Sequence, residues 1–269
     1  MTPQISESED IGDWIVHHLV NRPSWHPLPG VDIPLPETLR IGTIDLSITL
    51  HVLMLWVGAL ITFLLFAILY RKKTSQAPHG LTNLLETLVL FVRDQICIEY
   101  LGEEDGRKLA PFFLNFFFFI LILNLMGLIP IFASATANIN VTAGFALITV
   151  TMMIAGGVIR HGPWGFLKIF MPPGLPIFVY FILTPIEMLG LIIKPMALTI
   201  RLFANMLAGH IVIAAFISLI IGFKIWGLPF LGGVVFVYAL ELLVAFIQAY
   251  IFTLLSAMFL GSMLHPEHE

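Results

Sequence analysis

Residues 175–221 read "LPIFVYFILTPIEMLGLIIKPMALTIRLFANMLAGHIVIAAFISLII", an apolar stretch with only three charged residues. As a single helix rising about 1.5 Å per residue it would be roughly 70 Å long, more than twice the ~30 Å hydrocarbon core of a bilayer. In a membrane it must therefore be split, kinked or strongly tilted. Pro185 and Pro195 offer break points, so totals of five and of six spans both stay open.

The composition of the whole chain agrees with a membrane location. Of its 269 residues 58% are hydrophobic and 11% are charged, and 23 are phenylalanine. A soluble domain of this length could not bury that much apolar surface. The net charge of -4 is modest and not gathered in a basic patch, so nothing indicates nucleic acid. Cys97 is the only cysteine, which excludes an intrachain disulfide.

The hydropathy pattern predicts an all-α integral membrane protein with five to six membrane-embedded helices. Residues 1–45 are polar and proline-rich, and form an extramembrane segment before a single membrane domain at 46–269. Within 80–100, leucines at helical spacing alternate with charged residues, which predicts an interfacial amphipathic helix, although an ordinary packed helix fits equally well. The predicted spans lie at 46–70, 111–132, 141–159, 175–221 and 228–264, the last two forming a long C-terminal helical hairpin.

Basic residues predict how the chain is oriented. "RKK" at 71–73 follows the first span, and Arg160 and Lys168 follow the third. Because cytoplasmic loops carry an excess of lysine and arginine, these ends are expected in the cytoplasm. The N-terminus is then outside and the C-terminus cytoplasmic.

Arg201 is the most informative polar residue inside the apolar segments. A charge at the centre of a membrane helix costs at least about 2.5–3.5 kcal/mol and is a functional candidate by default. At about 100° per residue Arg201 shares a face with Ala197, Ala204, Asn205 and Ala208. Small residues on one stripe let another helix approach closely, so Arg201 is expected to face a closely packed partner helix.

Further polar residues lie on both sides of Arg201. Glu187 is about 21 Å before it along an unbroken helix, and His210 is about 14 Å beyond it. If 175–221 and 228–264 form an antiparallel hairpin, Glu241 comes level with His210, and Gln248 comes nearer to Arg201. An imidazole and a carboxylate at one level form a credible proton-transfer pair, because histidine titrates near neutral pH.

Structural roles also fit these residues. Arg201 could be a structural cation paired with Glu241, and His210 with Glu241 could form a structural hydrogen bond. Gln248 and Asn205 could join helices without lining a pathway. Lys194, beside Pro195, fits a side chain that extends to the membrane interface.

The motifs identify a family resemblance. The stretches "KPMALTIRLFANMLAGH" (194–210), "NLMGLIP" (124–130), "NVT" (140–142) and "ELLVAFIQAYIFTLL" (241–255), with Glu187 upstream, resemble subunit a of the F-type ATP synthase membrane sector. The resemblance covers about residues 45–265, and its arginine-centred motif is highly specific. Some members carry an acid at the position of His210 and a histidine at the position of Glu241.

The resemblance implies a proton-translocating stator in a bacterial plasma membrane, with long, tilted last helices. Its partners would be the ring of subunit c, peripheral-stalk subunit b, the rest of the synthase and the lipid bilayer, with no nucleic acid. Two offset aqueous half-channels would open on opposite faces. Their implied residues are Arg201 facing the ring carboxylates, Asn205 and Gln248 near it, His210 and Glu241 in the outer half-channel, and Glu187 in the inner one.

Other function classes fit less well. The chain has no phosphate-binding loop, no H-E-x-x-H motif and no metal-ligand spacing, so we expect no catalytic chemistry, cofactor or metal. A secondary transporter would favour internal repeats, which are not visible. A haem subunit would need two histidines at matched depth, and His51, His161 and His210 offer no obvious pair.

Overall fold

The computed structural model describes residues 24–28, 31–34, 40–41, 44–45, 49–71, 80–129, 132–171, 174 and 176–266. Five helices in these ranges are long and apolar enough to cross a membrane, which confirms the predicted all-α membrane fold. Much of the predicted segment 1–45 lies outside the described residues. Its described part holds two short antiparallel pairs, β1 (Ser24–Leu28) with β2 (Val31–Pro34) and β3 (Arg40–Ile41) with β4 (Ile44–Asp45).

In the described part of the chain seven α-helices follow these strands, and several are joined by short turns of π- or 3₁₀-helix. A π-helical segment (Arg93–Ile98) joins α2 to α3, and short 3₁₀ turns precede α5 (Ala135–Ala137) and α7 (Lys224–Gly227). The helices are α1 (Leu50–Arg71), α2 (Leu81–Val92), α3 (Glu99–Leu101), α4 (Glu103–Gly127), α5 (Ile139–Ile169), α6 (Ile177–Phe223) and α7 (Leu228–Leu264).

Helix α4 begins eight residues before the span predicted at 111–132. Its first turn contains Glu103, Glu104 and Asp105, whose charges favour a helix N-terminus. Arg107 and Lys108 pair with the two glutamates one turn earlier, at 3.0 and 2.8 Å. The hydropathy pattern misses this polar turn because it detects apolar residues and not helix formation.

Helix α5 continues beyond the span predicted at 141–159, through the basic residues that were expected to form a loop. Gly162 interrupts it with φ 74°, a left-handed conformation that favours glycine, and the helix resumes to Ile169. Arg160 therefore lies in the helical section before Gly162, and Lys168 lies in the section after it.

Helix α6 passes through Pro185 and Pro195 as one element from Ile177 to Phe223. Each proline removes one backbone donor, which long membrane helices tolerate. Because 175–221 is not divided, the described residues contain five candidate spans and not six.

The described residues group into two compact units. One combines residues up to Ile61 with Leu121–Thr142 and Arg201–Gln248. The other combines Thr62–Ile120, Ala143–Ile200 and the residues from Ala249 onward.

The second unit has an aromatic core. The ring of Phe116 packs edge-on against those of Phe145 and Phe252, with centroids 5.8 and 5.5 Å apart. Nearby, the buried hydroxyls of Thr149 and Ser256 share a hydrogen bond of 3.0 Å. This unit therefore packs α4, α5 and α7 through ring contacts and one polar link.

Candidate functional site

The first unit contains five of the six predicted site residues, and the hairpin of α6 and α7 determines their register. The link between these helices is only Lys224–Gly227. His210 and Glu241 stand equally far along the chain from the two ends of that link. Antiparallel helices joined so tightly place equally distant residues at the same level.

Arg201 lies on an exposed face of α6. Ala204, Asn205 and Ala208 on the same face are also exposed. Among the described residues Arg201 makes no hydrogen bond or ion pair. The structure therefore does not contain the alternative ion pair between Arg201 and Glu241.

Glu241 lies on the buried face of α7, with 9% of its surface exposed. Its carboxylate contacts the backbone of Gly209 so closely that a side chain at that position would overlap it. Neither carboxylate oxygen has a hydrogen-bond partner within the described ranges. Packing against Gly209 therefore positions the buried acid, and no hydrogen bond from the described residues does.

The half-buried ring of His210 lies between two backbone carbonyls. Its Nδ1 is 2.7 Å from the oxygen of Met206, one turn earlier in α6, and its Nε2 is 2.9 Å from the oxygen of Gly127 at the end of α4. His210 also interacts electrostatically with Glu241. The two side chains are therefore neighbours, but a hydrogen bond between them is not what positions either one.

The remaining predicted residues differ in how exposed they are. Gln248 is on the buried face of α7 with 6% of its surface exposed, whereas Asn205 is exposed on α6. Glu187 is exposed on α6 and belongs to the second unit. Within the described ranges no side-chain hydrogen bond or ion pair joins Asn205 or Gln248 to Arg201.

Besides Met206, three residues of the site were not predicted from the sequence. Gly209 makes room for the Glu241 carboxylate, and Gly127 supplies a carbonyl to His210. Asn124 donates through its Nδ2 to the carbonyl of Ala245, 3.4 Å away and one turn after Glu241. All three residues lie in the motifs quoted above, Asn124 and Gly127 in "NLMGLIP" and Gly209 beside His210, but neither motif indicates these contacts.

The site does not have the composition of a metal centre. The part of the chain that the structure describes contains no cluster of three or more His, Cys, Asp or Glu side chains able to hold an ion. What this site can do is chemistry of protons and fixed charge, with one exposed cation, one buried acid and one imidazole.

Comparison with known proteins gives a consistent result. Residues 52–261 match the family model described as ATP synthase A chain. A relative named ATP synthase subunit a from Chloroherpeton thalassium is 43% identical over 260 residues, which cover 94% of this chain and 77% of the relative. Relatives of the same name from Myxococcus xanthus and Pelodictyon phaeoclathratiforme are each 42% identical, over 94% and 97% of this chain and 87% and 78% of their own.

Proposed function

Since the chain belongs to the ATP synthase A chain family, we propose that it is the proton-conducting stator of that complex, with Arg201 facing the rotor. A subunit of this family is a multi-pass membrane protein without catalytic sites, which lie in other subunits. The observation that carries the proposal is an exposed arginine on a stripe of small residues in a membrane helix, with no ion pair to any residue that the structure describes.

The partner of Arg201 is a carboxylate on a ring of subunit c. A guanidinium stays charged at every relevant pH, so its cost in the membrane must be offset by an anion or by water. Ala204 and Ala208 leave space beside it for a moving helix. A rotor carboxylate that arrives there loses its proton, because the fixed positive charge favours the ionised form.

Two groups of polar residues serve the proton on its way to and from the rotor. Glu241 and His210 line an outer half-channel, with Asn205 and Gln248 towards Arg201. Glu187 lines an inner half-channel. Arg201 stands between the two groups and repels protons that would otherwise cross directly from one half-channel to the other.

The proposed setting is a bacterial plasma membrane, with the N-terminus outside and the C-terminus in the cytoplasm. The positions of the basic residues support this orientation, because Arg160 and Lys168 lie in the C-terminal part of α5. Besides the ring of subunit c, the expected partners are peripheral-stalk subunit b and the rest of the synthase.

The test is ATP-driven proton pumping by inverted vesicles that contain Arg201→Ala. We expect the assembled variant to pump no protons, because nothing then drives the rotor carboxylate to release its proton. Lys194→Ala is the matched control, since Lys194 is another exposed cation on α6 and its Nζ lies 5.7 Å from the centre of the Phe259 ring. We expect that control to pump. Wild-type pumping by assembled Arg201→Ala would refute the proposed role.

A further inference from the structure

The two contacts of the His210 ring bear on how many of its nitrogens carry a proton. Nδ1 faces the carbonyl oxygen of Met206 at 2.7 Å, and Nε2 faces that of Gly127 at 2.9 Å. Carbonyl oxygens only accept hydrogen bonds, and a neutral imidazole has one N–H and one lone pair. Only the doubly protonated ring can donate to both carbonyls at once. A neutral ring would leave a nitrogen lone pair within 3 Å of an oxygen.

The end of α4 strengthens this arrangement. Gly127 is the last residue of α4, where unpaired carbonyls give a helix a partial negative charge that favours a nearby cation. Residues 121–127, "LILNLMG", and 132–138, "FASATAN", contain no titratable side chain. On that side His210 therefore faces backbone dipoles and no competing charge.

The charge opposite His210 comes from α7. Glu241 interacts electrostatically with His210, and Tyr238 one turn earlier interacts with Glu241. The Glu241 carboxylate accepts no hydrogen bond from the described residues, whereas both His210 nitrogens have an acceptor. Within the described ranges Glu241 is therefore the member of the pair whose titratable atoms have no hydrogen-bond partner.

We infer that the carbonyls of Gly127 and Met206 are positioning groups that hold His210 as a permanent cation, and that Glu241 alone carries the transported proton in this half-channel. This inference rests on the proposed function. A hydronium ion in the outside water gives a proton to a Glu241 oxygen, so that one O–H bond of the hydronium ion breaks and a water molecule remains. The new O–H bond on Glu241 then breaks, the electron pair stays on the oxygen, and the proton passes on towards the rotor carboxylate. His210 keeps both of its protons throughout. Its positive charge attracts the ionised Glu241 carboxylate and so keeps that carboxylate in one position.

The direct test is nuclear magnetic resonance of the assembled complex in liposomes, with isotope-labelled histidine in this subunit, at about pH 7.5, above the ordinary range of histidine. His210→Gln identifies the signal by its loss. We expect both ring nitrogens of His210 to carry a proton, and the one assigned to Nε2 to lie in contact with a labelled glycine carbonyl. A ring with one protonated nitrogen would overturn the inference.

Pumping tests the functional half of the inference. His210→Lys keeps a cation with several donors, whereas His210→Gln keeps donors without charge. We expect the lysine variant to pump at least about fivefold faster than the glutamine variant, because charge-assisted hydrogen bonds are the stronger kind. Equal rates would show that a fixed positive charge at this position does not contribute to pumping, and would overturn the inference. Neither result depends on Arg201→Ala, so the proposed stator role and this inference can fail separately.

Discussion

Replacement of Gly209 by alanine is the most informative small change at the site. A Cβ at this position would lie 2.5 Å from Cδ and 3.0 Å from Cγ of Glu241, and closer still to Oε1. A real Cβ cannot approach a carboxyl carbon that closely, so either the carboxylate or the helix must move. The backbone of α7 is held by packing, and the flexible Glu241 side chain is expected to yield.

The cost follows from the packing. Overfilling a packed site costs about 1–3 kcal/mol, and alanine recovers about 1 kcal/mol of helix propensity relative to glycine. The upper part of that range leaves roughly 1–2 kcal/mol against the native position of the Glu241 carboxylate, which lowers the population of that position about 5- to 30-fold. We expect a loss of the same size in the rate of ATP-driven proton pumping, with the amount of assembled complex nearly unchanged.

Gly222→Ala is the matched control, because Gly222 lies on the same helix and a Cβ there would meet nothing within 4 Å. It should pump at the wild-type rate. Gly209→Ala combined with Glu241→Asp, which shortens the acid by one methylene, should be less impaired than the two single effects multiplied together. Normal pumping by Gly209→Ala alone would show that the position of the Glu241 carboxylate does not matter.

Two further predictions concern the exchanged pair and the single thiol. His210→Glu combined with Glu241→His should pump faster than the worse of the two single variants, and a double variant that is no better would show that the two positions do not work together. Burial raises the pKa of Cys97 to about 12, so maleimide labelling of the intact protein should stay slow from about pH 7 to 9, whereas the unfolded protein labels readily. Fast labelling of Cys97 in the assembled complex would contradict its burial.

The sequence predicted the membrane helices well because apolar length is a local property. The hairpin register could be predicted for a related reason, since the short link at 224–227 leaves few ways to pair α6 with α7. The hydropathy pattern was less informative where a helix continues through polar residues. The start of α4 was missed because its stability comes from charges in the first turn and from ion pairs.

The details of the site could not be predicted because they depend on backbone groups far apart in the chain. The carbonyl of Gly127 is a backbone group, so no side chain in the sequence indicates its role. It also lies 83 positions from the histidine that it contacts. Likewise the contact of Glu241 with Gly209 requires that two helices approach closely at one point. Sequence reasoning found the residues that carry charge, and the structure adds the groups that position them.

The most direct test of the central claim is a disulfide cross-link between α6 and the rotor. Asn205→Cys lies one turn from Arg201 on the exposed face, and Cys97→Ala removes the only native thiol. Ile211→Cys is the control, because Ile211 is also exposed but points about 120° away from Asn205 around the helix. With a cysteine placed beside the rotor carboxylate, we predict a cross-link to Asn205→Cys and none to Ile211→Cys. Cross-linking at Ile211→Cys alone would mean that Arg201 does not face the rotor.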